Sequence, residues 1–212
     1  MKVIVAAYRP WAIKAATLIP DDAIKIVSDP GVLLGTIRCS KPTHVILIGW
    51  SWVIPDSIVN EYKCYCVHPS PLPKYRGGSP VQHQLLNGEI DSAVTIFRVT
   101  HDLDAGPIVY SEPFKLLGSL SDIYNKIGFI TAKGIIQLLY HTTAERPQVG
   151  EPTYYKRRTP AESELTIDEL QNAGSHYLYN KIRALNGEGY PPTYWPCADG
   201  KRLLILSAVI SD

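Results

Sequence analysis

Apolar residues fall in short continuous runs separated by stretches in which they recur at helical spacing, and this alternation organises the first half of the chain. Residues 2–7 open on Lys2 and then run continuously apolar, the pattern of a strand buried on both faces. Residues 10–19 open on Pro10, which a helix tolerates in its first turn, and turn Ile13, Ala16 and Leu18 inward. Asp21 and Asp22 make a turn, residues 23–27 read as a second strand and residues 31–38 as a short helix. Residues 44–49 give the clearest buried strand. It breaks at Gly49 and yields to Trp50, Trp52 and Pro55, the last opening a helix to about residue 61. Residues 63–67 form a fourth strand. Strands and helices alternating at this spacing predict a parallel sheet with right-handed crossovers. Ligands of such sheets gather beyond the carboxyl ends of the strands, where both Gly49 and His68 fall.

Beyond that point the period changes. Residues 79–86 suit a helix with Ser79 as N-cap and Pro80 at its first position, and Gly88 stops it. Residues 92–99 alternate and are β-branched, residues 100–106 are a polar loop, and residues 108–116 read as another strand. Residues 121–140 carry Ile123, Ile127, Ile130, Ile135, Leu138 and Leu139 along one face, a long amphipathic helix. Around residues 142–152 the pattern turns polar and proline-containing, dividing a domain at 1–150 from an extension at 151–212. The extension reads as a helix at 175–185, a turn at 186–189, a stop at Pro191 and Pro192, and strands at 193–196 and 202–209 joined through Asp199 and Gly200. A unit this small does not stand alone; it packs on the main domain or on a neighbouring copy, so a homodimer is one expectation. The expected fold is α/β and Rossmann-like: a mostly parallel sheet flanked by helices, with a small C-terminal helix-plus-β-hairpin extension.

The stretch after the fourth strand concentrates the candidate chemistry. Pro69, Pro71 and Pro73 follow His68, so neither helix nor sheet continues and the chain leaves as a stiff extended loop. Lys74 and Arg76 set cations on it, and Gly77 and Gly78 let the backbone turn or approach a ligand closely. A proline-rich connector with an isolated histidine is the plain alternative. Cys64, Cys66 and His68 alternate and point to one face of the strand, residue types that ligate zinc. No fourth ligand follows at knuckle spacing, and small core cysteines explain Cys64 better, so no metal is expected.

Composition narrows the partners. A chain of 212 residues buries one good core. Its formal net charge of +1 disfavours a nucleic acid or an acidic membrane as partner. No run approaches the roughly 20 apolar residues that span a bilayer, and Met1 and Lys2 lead directly into a strand rather than a signal peptide. Cys39, Cys64, Cys66 and Cys197 make no disulfide framework, and the expected setting is reducing and cytoplasmic.

The motif His-Pro-Ser-x-Leu-Pro-x-Tyr-Arg-Gly at residues 68–77, followed by Leu-Asp-Ala-Gly at 103–106, resembles the formyltransferases that use 10-formyltetrahydrofolate. The similarity runs from about Val45 to Tyr110 and returns at Tyr154 to Thr159, well over a third of the chain. The resemblance implies that His68 serves as acid/base and that the family's catalytic aspartate falls on Asp104. An imidazole titrates near neutrality, and a neighbouring carboxylate favours and orients its charged form. The family's asparagine, two positions before the histidine, donates to the formyl oxygen; here that position is Cys66, and a thiol is a weak donor. Either another donor substitutes, or the enzyme is slow, or binding is kept and catalysis lost. The family holds its pterin largely through backbone at the end of the third strand and in the aspartate loop. That makes Trp50, Val53 and Ile54, with His101 and Asp102, neighbours of the folate by resemblance. Trp50 and Trp52 serve core packing equally well. Lys74, Tyr75, Arg76 and Gly77 sit where the acceptor side of the cleft is expected, with a phosphate or a diphosphate as a partner for the cations and a solvated loop as the alternative.

The acceptor is read by comparison within that family. Glycinamide ribonucleotide enzymes carry a glycine-rich loop after the first strand, whereas residues 6–11 here contain no glycine. Methionyl-tRNA enzymes carry a C-terminal β-barrel behind a basic linker, while some sixty residues with little excess charge follow residue 150. Residues 154–160 and 182–185 resemble both the tRNA and the amino-sugar members, and the opening from Tyr8 to Trp11 resembles the latter. The implied reaction carries a formyl group to the 4-amino group of a nucleotide-linked dideoxy sugar. A methionyl-tRNA formyltransferase-like enzyme, a 10-formyltetrahydrofolate hydrolase and a non-catalytic folate or sugar-nucleotide binder remain alternatives.

Overall fold

The structure, a computed structural model, describes residues 2–20, 24–187 and 189–211. The turn expected at Asp21 and Asp22, and the Glu188 position of the turn at 186–189, lie outside the described residues. The elements in order are β1 (Val3–Ala7), α1 (Pro10–Thr17), β2 (Ile24–Val27), α2 (Pro30–Ser40), β3 (His44–Ile48), α3 (Asp56–Glu61) and β4 (Lys63–His68). Then come β5 (Arg76–Gly77), α4 (Pro80–Leu86), β6 (Asp91–Arg98), β7 (Ile108–Lys115) and α5 (Leu120–Tyr140). The remainder comprises β8 (Tyr154–Tyr155), a 3₁₀ turn at Pro160–Ser163, α6 (Ile167–Asn172), α7 (Ser175–Leu185), β9 (Thr193–Pro196) and β10 (Arg202–Ile205).

Six strands form the central sheet in the order β2-β1-β3-β4-β6-β7. The four from the first part of the chain run parallel, and β6 is antiparallel to both neighbours. This is the mostly parallel, helix-flanked Rossmann-like sheet expected from the apolar runs. Alternate residues of the inner strands feed two cores. Val3, Val5, Ile46, Ile48 and Val67 pack with Ala12 and Ala16 of α1 and Ile123 and Ile127 of α5. Ile4, Ala6, Val45, Leu47 and Cys64 pack with Leu33 and Ile37 of α2 and Ile58 of α3. Burial on both faces explains why the sequence of these strands is continuously apolar.

The termini of the elements follow from local chemistry. Asp29 caps α2 by accepting from the Gly31 amide, and Ser119 with Asp122 closes a capping box on α5. Ser79 stands at the N-cap position of α4 with φ of 53°, but its side chain makes no cap bond; its Oγ accepts from the Arg158 amide instead. β10 stops at Ile205 rather than running to residue 209, because its partner β9 is four residues long and is preceded by Pro191 and Pro192. The 3₁₀ turn and α6 carried no apolar period to betray them; α6 buries no side chain and is set by the Thr166–Glu169 capping box. The region from residue 151 onward packs on the sheet domain. Arg183 of α7 donates to the Leu116 and Gly118 carbonyls, and Gln82 of α4 donates to the Ala184 carbonyl. Among the described residues, no helix is long and apolar enough to cross a membrane.

Candidate active site

β3 and β4 end side by side, Ile48 opposite Val67, so Gly49 and His68 leave the sheet at one edge. β6 runs antiparallel to β4 and its last residue, Arg98, lies opposite Tyr65. The loop that follows must reverse to reach the end of β4, and Gly106 makes the reversal feasible. A Cβ there would lie 1.7 Å from the Arg98 carbonyl oxygen, a contact no side chain survives. The reversal brings Asp104 to His68: their Oδ2 and Nδ1 are 3.6 Å apart.

His68 is buried, and its Nε2 is 2.7 Å from the Tyr75 carbonyl oxygen. A carbonyl only accepts, so Nε2 carries a proton, and Nδ1 is the ring nitrogen that faces Asp104. The Asp104 Oδ2 in turn accepts from the Gly77 amide at 2.8 Å. Tyr75, Ser79 and Asp104 all have positive φ (61°, 53° and 50°), three of the four non-glycine residues so described. Such conformations cost about 1–3 kcal/mol each and persist where surroundings over-determine them.

Those surroundings are visible. The Tyr75 amide donates to Thr153 Oγ1, its hydroxyl donates to Glu89, and its ring stacks on Tyr155 at 5.0 Å. Burial, with Glu89 adding to it against the Asn87 hydrogen bond, pushes the Tyr75 hydroxyl up to about 12. Arg76 is buried; its guanidinium donates to Gln148 Oε1 and to the Tyr154 hydroxyl. Gln148 Nε2 donates to the Asp104 and Gly106 carbonyls. Arg76, Gln148 and the aspartate loop are therefore one hydrogen-bonded unit. Sequence reading missed Gln148, Thr153 and Glu89. The one sequence signal was the Gly77–Gly78 pair, which admits β8 alongside β5.

The other expected site residues are distributed as follows. Cys66 points to the same face as His68 and packs both against the core that holds Val45 and Leu47 and against the small cluster of Leu72, Phe97 and Ile108. Burial, then the Asp104 carboxylate, pushes its thiol well above its usual range, so it stays neutral. Trp50 is half-buried beside Tyr8 and Trp52, with ring centroids 6.1 and 4.9 Å away, and its buried Nε1 has no partner. Ile54 is buried, whereas Val53 is almost fully exposed. His101 is exposed and bonds Asp56 at 2.8 Å, tying the aspartate loop to α3; Asp102 is exposed beside it. Lys74 is the exposed cation of the proline loop. Among the described residues, no group of three or more His, Cys, Asp or Glu side chains is arranged to hold a metal ion.

This geometry can accept a proton at Nδ1 and set a carboxylate against the resulting charge, which is what amine acylation requires. The family model described as Formyl transferase matches residues 31–139. The methionyl-tRNA formyltransferase of Thermosipho africanus is 31% identical over 157 residues, covering 71% of this chain and 49% of that protein. The chain spans about half the length of the curated relatives it matches. A solved methionyl-tRNA formyltransferase from Clostridium thermocellum superposes with a TM-score of 0.85 at 26% identity, covering 97% of each chain. A 4-N formyltransferase from Francisella tularensis gives a TM-score of 0.73 over 100% of this chain and 98% of that one, at 16% identity, a likeness of fold.

Proposed function

The chain belongs to the formyl transferase family, and from that premise we propose that it moves the formyl group of 10-formyltetrahydrofolate to the amine of a nucleotide-linked 4-amino-dideoxy sugar. The observation that carries the reading is the His68 ring with its Nε2 proton fixed on the Tyr75 carbonyl and its Nδ1 3.6 Å from the Asp104 carboxylate. Nδ1 takes the proton released by the attacking amine. Asp104, held by the Gly77 amide, stands against the imidazolium so formed. The neutral Cys66 thiol is a weak donor toward the formyl oxygen.

The residues present fit the folate: the buried Trp50 Nε1 is a donor without a protein partner at the end of β3, suited to a ligand rich in acceptors. Trp50, Val53, Ile54, His101 and Asp102 would hold it. When bound, the folate supplies the activated formyl carbon. Lys74 contacts the acceptor from the exposed loop, while Tyr75, Arg76 and Gly77 form the wall behind the reacting pair.

A sugar nucleotide as acceptor is supported by the balanced charge of the chain and by Arg9 and Arg157, which line one cavity and have no carboxylate partner among the described residues. The methionyl group of a charged tRNA is the second reading, favoured by the relatives in both sequence and structure. Incubation with 10-formyltetrahydrofolate and a panel of amines separates the readings. The proposal expects amide product with a 4-amino sugar nucleotide. Product on methionyl-tRNA alone, formate release without any amine, or saturable binding without turnover would each replace it, by the tRNA enzyme, the hydrolase and the binding protein respectively. A homodimer forms part of the proposal, with Leu204 and Leu206, each more than half exposed, as the covered face. Sedimentation of the wild type and of Leu204→Lys tests it, and a monomeric wild type refutes it.

A further inference from the structure

The β1–α1 loop, the start of α4, the segment after β8 and the turn after α7 meet around a cavity of about 120 Å³. Three arginines line it: Arg9, Arg157 and Arg158, together with Ser79, Thr159 and Tyr190. Arg158 is fixed: its side chain is 10% exposed, Nη2 donates to the Glu162 carbonyl, and Nη1 is 3.8 Å from the Glu162 carboxylate. Its Nε is buried with no partner. The Glu162 carboxylate is otherwise occupied, accepting from the Thr159 amide and hydroxyl. Among the described residues neither Arg9 nor Arg157 has a carboxylate partner. Arg9 lies over the Tyr8 and Tyr190 rings at 5.2 and 5.1 Å, and Arg157 donates to Ser51, which shares a 2.5 Å hydrogen bond with Tyr8. The Tyr8 hydroxyl registers the local field: burial would raise it, but the Ser51 bond and the charges of Arg9 and Arg157 leave it below its ordinary value.

The cavity is tied to the reacting pair. A Cβ at Gly78 would lie 2.4 Å from the Arg157 Cα, and Ser79 Oγ accepts from the Arg158 amide. Gly77, whose amide holds Asp104, is two residues from Ser79, at most about 7 Å of extended chain. Two guanidinium groups without a carboxylate partner among the described residues, Arg9 and Arg157, beside a third, Arg158, whose buried Nε–H is unsatisfied, suit phosphate oxygens. Half-exposed Trp52, 4.7 Å from Tyr8, offers a ring face beside them for a base.

We infer that Arg9, Arg157 and Arg158 form a diphosphate subsite that takes the nucleoside diphosphate of the acceptor while its amine reaches His68. The inference rests on the transferase reading for its ligand, but its test does not require turnover. Protein without folate or amine is titrated with dTDP, UDP and GDP by calorimetry, with inorganic pyrophosphate as competitor and an aminoacylated RNA minihelix in a parallel arm. The expected result is one nucleoside diphosphate bound per chain and displaced by pyrophosphate. Arg157→Gln and Arg9→Gln should each weaken it by about tenfold to a hundredfold, as for a lost charged hydrogen bond. Arg158→Lys, which keeps the charge and loses the fork, should also weaken it. Thermal unfolding identifies variants that fail to fold, and the exposed Arg157 decides if the Arg158 variant does not. No displaceable binding at millimolar ligand, or equal affinity in folded variants, overturns the inference. So does minihelix binding that those variants abolish while no nucleoside diphosphate binds. Binding through these arginines without amide formation would keep the subsite and refute the transferase. Amide formation with an unchanged KM in all variants would do the reverse.

Discussion

Replacing Cys66 by asparagine adds a donor where the site has a weak one. The residue sits in the β4 ladder between Leu47 and Phe97, so its backbone is fixed and the substitution changes only what faces Asp104 and the cleft. A preorganised oxyanion donor is worth about 10²–10³ in rate, or roughly 3–4 kcal/mol. The native thiol, neutral because burial and Asp104 raise it, supplies little of that. The new amide also meets the apolar surroundings of Leu72, Phe97 and Ile108, at about 1–3 kcal/mol of stability, offset where it finds Asp104. Under single turnover, with amide product separated by chromatography, Cys66→Asn should therefore raise the rate by at least about tenfold. Its unfolding midpoint should fall slightly, and Cys66→Ala should leave the rate little changed. A folded Cys66→Asn with no gain, together with a large loss in Cys66→Ala, would refute the reasoning and mean that the thiol itself serves the reaction.

Gln148→Leu should lower stability by about 2–4 kcal/mol in urea unfolding, because buried Arg76 keeps only the Tyr154 hydroxyl as side-chain acceptor and two loop carbonyls lose the Gln148 donor. Its kcat should fall with it, since Asp104 is no longer clamped. Gly106→Ala forces a Cβ against the Arg98 carbonyl, and a loop displaced by about 1 Å should cost on the order of 100-fold in kcat with nucleotide binding retained. Glu169 is held below its usual value: burial would raise it, but bonds from Lys181, Thr166 and Tyr177 outweigh that. A depressed carboxyl stabilises the fold above its unfolded value and loses that contribution as pH falls through the folded one. Glu169→Gln, which strands buried Lys181, should thus cost about 3 kcal/mol near neutrality, with the gap to wild type closing below about pH 4 in acid-unfolding curves. A gap independent of pH would contradict the assignment.

The sheet was legible because burial on both faces writes itself as continuous apolar runs, and β1, β3 and β4 carry little else. His68 at a strand end was legible for the same reason, since the prolines after it forbid continuation. What joins His68 to Asp104 was not. The loop reversal depends on Gly106 meeting one particular carbonyl, and the clamp on Asp104 comes from Gln148, forty-four positions along the chain. Hydrogen bonds at that separation leave no periodicity. Ser79 is instructive: its type and position suggested an N-cap, but its hydroxyl instead anchors the arginine segment, a long-range bond winning over a local one. The extension was read through its amphipathic helix α7 and its Asp199–Gly200 turn, while α6, with nothing buried, left no mark.

The most direct test of the account is single-turnover formylation of a 4-amino sugar nucleotide by wild type, His68→Gln and Asp104→Asn, read by mass spectrometry of the acceptor. The account predicts that wild-type protein adds one formyl group at the amine. It predicts that the His68 variant loses about 10²–10⁴ in rate, the range of general base catalysis, and the Asp104 variant a comparable share, with folate binding intact in both. Formylation by either variant at the wild-type rate would contradict it.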